Sequence, residues 1–184
     1  MGSWDEVDEG LIFMLSVDGT HCPVEEPRPW SSKWSSHKLG GSAGLNYEIG
    51  LKINAPKLVW VYGPTPPGLH PDISVFRQRL KNKIPVGKKV IGDEGYRGEP
   101  DFISTKNEFD PREIAEFKER VLARHETFNQ RLKNFDCLTT KFRHGIENHK
   151  SAFEAVCAIV IYKIESGGTS LFDPYPWRTT ACTS

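Results

Sequence analysis

Leu11-Ile12-Phe13-Met14-Leu15-Ser16-Val17-Asp18-Gly19-Thr20-His21 is the stretch whose reading decides the fold. From Leu11 to Val17 it is apolar except for Ser16, without the alternation expected of a strand with one wet face. Such a run reads as a central strand covered on both sides. Asp18-Gly19 reads as its end, which puts a carboxylate at the tip of a buried strand. The same pair is also the commonest tight hairpin turn, and on its own it favours that turn.

Outward from this strand, residues 1–10 form a polar N-terminal tail. Residues 20–44 are rich in Pro, Ser, Gly and Trp and show no period; a loop of that length in a compact domain is usually functional or mobile. Residues 45–54 read as a second strand, in which Asn46, Glu48 and Lys52 alternate with Tyr47, Ile49 and Ile53. After a turn at Ala55-Pro56, residues 57–62 read as a third strand, antiparallel to the second. The run Gly63-Pro64-Thr65-Pro66-Pro67-Gly68 predicts irregular chain.

Asp72 reads as the N-cap of a helix carrying Val75, Phe76 and Leu80. Residues 88–92 form a short apolar strand ending at Asp93, a second carboxylate at a strand tip, and Phe102 and Ile103 stand isolated. Pro111 at the first helical position opens the best helix, running to about Phe135 with Phe117, Val121, Phe128, Leu132 and Phe135 on one face. After a polar break at residues 142–145, residues 147–164 form a last helix buried by Phe153, Val156, Ile159, Val160 and Ile164, ended by Gly167-Gly168. Three strands, a helix, a strand and two helices predict an α/β fold, a mixed sheet covered by helices on its faces. The domain spans residues 11–164, and residues 165–184 form a C-terminal tail.

Composition narrows the classes. At 184 residues, with 38% hydrophobic and 26% charged, the chain suits one domain with a substantial core rather than disorder or a repeat. Its net charge of zero argues against holding DNA by bulk charge. The charge is polarised, however: Asp5, Glu6, Asp8, Glu9, Asp18, Glu25 and Glu26 crowd the start, and Arg77, Arg79, Lys81, Lys83, Lys88, Lys89 and Arg97 the middle. Cys22, Cys137, Cys157 and Cys182 are scattered without a CxxC pair, which reads as a reducing compartment rather than a disulfide framework, with Cys157 a buried thiol. Cys22, Cys137, His144 and His149 lack the paired spacing of a structural zinc site. No signal peptide or membrane span is read, so the expectation is a soluble intracellular protein.

Asp18 and Asp93 each follow an apolar strand, and Glu126 lies on the long helix. Three carboxylates converging at one edge of a sheet would hold hard divalent cations, and two such cations cut phosphodiester bonds. Glu126 sits roughly 150° around an ideal helix from the apolar stripe, which on its own favours a solvated position. A single metal at His21 and Asp18 of an unrelated hydrolase is a further alternative.

Five stretches carry a resemblance. They are Val17-Asp18-Gly19-Thr20-His21, Tyr47-Glu48-Ile49-Gly50, Gly92-Asp93-Glu94-Gly95-Tyr96-Arg97-Gly98, Arg124-His125-Glu126-Thr127-Phe128-Asn129-Gln130-Arg131-Leu132-Lys133, and Phe142-Arg143-His144-Gly145. In that order the chain resembles, over residues 11–164, the catalytic domain of eukaryotic DDE transposases of the PIF/Harbinger-like group, whose fold is RNase H-like. The resemblance implies a metal-dependent DNA endonuclease or strand transferase with Asp18, Asp93 and Glu126 as the ligands of two Mg²⁺ or Mn²⁺ ions. One ion would activate a water or a DNA 3′-hydroxyl for in-line attack and the other would stabilise the leaving oxygen.

Lys133, Arg97, His37 and Lys38 are the candidate DNA contacts, each of which also reads as an ordinary surface residue. Many members of the group this chain resembles carry adjacent His-Asp where it has His70-Pro71-Asp72; Asp72 is read as the helix cap rather than a metal ligand. Such transposases carry an upstream helix-turn-helix domain, and residues 1–10 offer none, so the expectation is a fragment, a truncated element or a catalytic half relying on a separate DNA-targeting protein. DNA as partner, a homo-oligomer as an allowed assembly, and a nuclear location follow from the resemblance. The rival is a domesticated or decayed remnant that binds DNA or protein without cutting.

Overall fold

The computed structural model describes residues 12–166. Five strands form one sheet: β1 (Phe13–Pro23), β2 (Gly44–Lys52), β3 (Leu58–Thr65), β4 (Lys89–Gly92) and β5 (Ile103–Ser104), in the order β3-β2-β1-β4-β5. β2 runs antiparallel to β1 and β3, whereas β4 is parallel to β1 and β5 to β4. The helices are α1 (Asp72–Gln78), α2 (Arg112–Leu132), α3 (Asp136–Thr139) and α4 (Ile146–Glu165). A mixed sheet flanked by helices is the architecture expected, and it is consistent with an RNase H-like fold.

The core follows from the apolar pattern. On one face of the sheet Tyr47, Ile49 and Leu51 of β2 pack against Phe128 and Leu132 of α2 and Phe153, Val156 and Val160 of α4. On the other, Leu15 and Val17 of β1 and Val90 of β4 pack against Phe76 of α1, Leu80 and Tyr96. Phe153 is fully buried with its ring stacked on Tyr47 at 3.8 Å between centroids. Burying such a side chain contributes about 2–3 kcal/mol. The last helix therefore packs by the face read from the sequence, except that Ile159 is exposed, and Cys157 is buried in it. Among the described residues no helix is long and apolar enough to cross a membrane.

Several elements differ from the sequence reading. β1 does not end at Asp18-Gly19 but continues to Pro23, because antiparallel β2 pairs with it as far as Pro23 opposite Gly44. Asp18 therefore lies within a strand, neither at a tip nor in a hairpin turn. β3 runs through Gly63 and Pro64 to Thr65; as an edge strand, it has a free side on which the N–H that proline lacks is not needed. Ile103 pairs with Val90 as β5, a strand of two residues and too short to show a period. Pro111 occupies the N-cap of α2 rather than its first turn, and Phe135 lies beyond its end. Asn46 and Glu48 are buried at 1% and 2% exposure, because helices cover both faces of β2. The expected N-terminal tail, Leu11, Gly167-Gly168, the C-terminal tail and Cys182 fall outside the described residues.

Candidate active site

β4 stops at Gly92, which pairs with Val17, while β1 runs on beside β2 alone. The next residue on each strand is an aspartate, so Asp18 and Asp93 share the open end of the sheet where β4 leaves off. Asp18 is half-buried; its Oδ1 accepts the Gly19 N–H at 2.7 Å and its Oδ2 accepts Asn129 Nδ2 of α2 at 2.7 Å. The Asp93 Oδ1 accepts the Gly95 N–H at 2.9 Å, capping a short turn that carries Tyr96 into the core. A Cβ on Gly92 would stand 3.0 Å from the Tyr96 side chain, so this glycine lets the turn fold flat against the strand.

A third aspartate arrives from α1. Pro71 holds the N-cap and no side-chain cap bond is made, so Asp72 is not the cap read from the sequence. Its Oδ1 accepts Asn46 Nδ2 at 3.0 Å, and its Oδ2 lies 3.4 Å from Lys38 Nζ, which also donates to the Gly19 carbonyl at 2.9 Å. A Cβ on Gly19 would overlap the Asp72 carboxylate, so the glycine after Asp18 serves close approach rather than a turn.

The charges feel one another. Burial above all pushes the Asp18 carboxyl up to about 6, with Asp93 and Asp72 adding to the rise and Lys38 and the Gly19 bond opposing it. Burial first, then Lys38, holds His21 down to about 4. Behind Asp72, burial raises Glu48 to about 8; its Oε1 accepts the Trp60 indole N–H at 2.8 Å. Tyr96, fully buried, brings its hydroxyl into the same polar pocket.

α2 is tied to β1 at three points. His125 Nδ1 and Ser16 Oγ are 2.9 Å apart, Asn129 holds Asp18, and Lys133 donates to the His21 carbonyl. Burial keeps the His125 ring neutral, pushing it down to about 3.

Of the residues singled out in the sequence, Asp18 and Asp93 are brought together. Glu126 is exposed on α2, and the α2 side chain bonded to Asp18 is Asn129. Lys38 stands at Asp72 and Lys133 on the β1 backbone, while Arg97 is exposed and ion-paired to Glu94 Oε1 at 2.9 Å. Arg97 also lines an open cavity of about 640 Å³ with Lys106 and Asn107. His37 is exposed, edge-on to His21 at 5.8 Å. His21 bonds Ser36 Oγ at 2.5 Å and, three residues along the strand, faces away from Asp18, which disfavours a single metal shared by the two.

Asn46, Asn129 and the Lys38 contacts were missed. Asn129 carried one available signal, lying a single turn beyond Glu126 in a quoted stretch. Among the described residues no three His, Cys, Asp or Glu side chains stand ready as a metal cage. The donors nonetheless suit a hard divalent cation: they are carboxylate oxygens, and a chain ammonium already stands among them. A family model described as DDE superfamily endonuclease matches residues 17–160, from β1 to the buried face of α4. No curated protein and no solved structure matches the chain.

Proposed function

The chain belongs to the DDE superfamily endonucleases, and from that premise we propose that it is a divalent-metal-dependent DNA endonuclease or strand transferase of transposase origin. The observation carrying this reading is the juxtaposition of Asp18 and Asp93 at the open sheet end, inside the family-matched segment. In the proposal these two hold two Mg²⁺ or Mn²⁺ ions together with Glu126 from α2. Bound there, the ions would supply positive charge to the scissile phosphate and lower the pKa of an attacking water or 3′-hydroxyl.

The chain's own groups orient and select. The Gly19 N–H and Asn129 fix the Asp18 carboxylate, and the Gly95 N–H fixes that of Asp93. In the proposal Lys133, Arg97, His37 and Lys38 donate to DNA phosphates, which would position a strand without reading its sequence. The PIF/Harbinger-like grouping, a nuclear location, a separate DNA-targeting partner and a homo-oligomer belong to the same proposal.

Nicking of supercoiled plasmid with Mn²⁺ or Mg²⁺ tests it, with Asp93→Ala alongside. Metal-dependent nicking that Asp93→Ala abolishes is the expected result. A folded protein that neither nicks nor binds Mn²⁺ would sink the reading. The exposure of Glu126 favours a second one, a non-cleaving DNA- or protein-binding remnant; nicking that survives Asp93→Ala but not Glu126→Gln would fit neither.

A further inference from the structure

We infer that two joined loops, residues 30–41 and 66–70, form a docking surface for an unpaired stretch of DNA beside the two aspartates, with Trp30 as the ring on which a base stacks. The inference rests on the DNA-directed reading above and adds the form of DNA that the site takes.

Charge is the first observation. The chain carries 24 acids and 24 bases, yet from Pro27 to Pro71 its only acid is Glu48, which is 2% exposed. The two loops meanwhile carry Lys33, His37, Lys38 and His70. The basic run further along the chain is neutralised: Arg77 and Lys81 both pair with Glu99, and Arg97 pairs with Glu94. On the loops Lys38 faces Asp72, whereas Lys33 lies over the Trp34 ring, 5.2 Å from its centroid. A surface with bases and no exposed acid of its own draws a polyanion.

The second observation is apolar exposure held on stiff chain. Trp30 is 49% and Leu69 57% exposed. The loops that bear them are tied together, since the Gly68 N–H donates to the Lys33 carbonyl at 2.9 Å and a Cβ on Gly68 would overlap the Ser32 carbonyl. Pro29, Pro66, Pro67 and Pro71 fix φ along this chain, which leaves little freedom to lose on binding. One exposed apolar side chain needs no explanation. An indole among lysines is different, because the ring stacks a base while the ammonium groups take the phosphates. Paired bases hide their faces in the stack, so such a ring favours DNA whose bases are free.

Position is the third. Lys38 Nζ donates to the Gly19 carbonyl at 2.9 Å, next to Asp18, and residues 66–71 lead straight into α1. The surface therefore adjoins the candidate active site. A strand held there by its phosphates and one stacked base would reach the aspartates already unpaired.

Fluorescence anisotropy of a labelled oligonucleotide of about 16 nucleotides, as a single strand and as its duplex, tests this with the full-length chain in EDTA, so that no strand is cut. Wild type should bind the single strand more tightly than the duplex. Trp30→Ala should weaken single-strand binding about tenfold, as loss of one stacked base does, and leave duplex binding unchanged, while Trp30→Phe should restore most of the loss. Lys33→Gln should lower the slope of log affinity against log salt by about 0.7 on the single strand. Unchanged single-strand affinity in Trp30→Ala, or a duplex preference in wild type, would overturn the inference; plasmid nicking that persists in that case leaves the proposed function standing. A wild type that binds neither DNA and nicks no plasmid would remove both. Circular dichroism checks each fold. Should Trp30→Ala not fold, Leu69→Ser and Lys33→Gln decide, and unchanged single-strand affinity in both refutes the surface.

Discussion

Replacing Glu48 by Gln should stabilise the protein, increasingly so as pH rises. Glu48 sits on β2 at 2% exposure; Oε1 accepts the Trp60 N–H at 2.8 Å, and Oε2 is buried without a partner. Burial is the main cause raising its carboxyl from 4.5 to about 8; Asp72 adds to it, and the Trp60 bond and the nearby Tyr96 hydroxyl oppose it. The native state thus keeps a proton over a range in which the unfolded chain loses it. The stability this proton confers is fully present below the unfolded value of 4.5 and is lost as pH rises toward about 8.

Integrating between those limits gives a loss of about 3 kcal/mol at about pH 7 and about 4 kcal/mol at about pH 8, against under about 1 kcal/mol at about pH 5. Gln resembles the protonated acid: it keeps an oxygen for Trp60 and brings an N–H toward the Tyr96 hydroxyl. Urea unfolding followed by circular dichroism at about pH 5 and about pH 8 measures the difference between the two proteins. An equal difference at both pH values, or a less stable Gln variant at the higher one, would refute the protonated Glu48.

Other perturbations have their own signatures. Phe153→Ala should cost about 3–5 kcal/mol in urea unfolding, since it empties a fully buried site under Tyr47. Gly19→Ala should push its methyl against the Asp72 carboxylate, lowering stability by about 1–3 kcal/mol and weakening Mn²⁺ binding measured by titration. Lys118 is 3% exposed, with its ammonium 2.7 Å from Asp110 Oδ2 and 2.8 Å from the Thr105 carbonyl. Asp110→Ala should therefore cost about 3 kcal/mol by stranding that charge; adding Lys118→Met should recover most of the loss, and a strictly additive double mutant would contradict the pairing.

The sheet was legible where burial wrote a pattern. The apolar run before Asp18, the stripe of Phe117, Val121, Phe128 and Leu132, and the face of Phe153, Val156 and Val160 all gave their elements. What stayed hidden depends on partners distant in sequence. Nothing within residues 18–23 announces that β1 continues; β2 supplies that pairing from the far side of a long loop. Asn46 and Glu48 look like a solvent face because alternation cannot register a helix packed over them.

The site divides in the same way. Asp18 and Asp93 could be found because each follows an apolar run, and parallel strands in register set them side by side. Asp72 was masked by a local reading: an aspartate opening a helix resembles a cap, and only the tertiary position of Gly19 shows where its carboxylate goes. Lys38 likewise reads as surface until the loop folds back over the site.

The bonds between α2 and β1 have a consequence for how the site tolerates change. His125, Asn129 and Lys133 are spaced four apart on the helix, a rise of about 6 Å per step, and Ser16 and Asp18 are two apart on the strand, a rise of about 6.6 Å. Helix and strand are thus graduated almost alike, as two scales laid edge to edge. Sliding one along the other by a helical turn would mismatch every mark at once, so the aim of the Asp18 carboxylate belongs to the whole helix. A single residue inserted between His125 and Asn129 would turn everything beyond it by about 100° and detach the carboxylate from its guide without touching the site. Length, more than side-chain identity, is what α2 cannot vary.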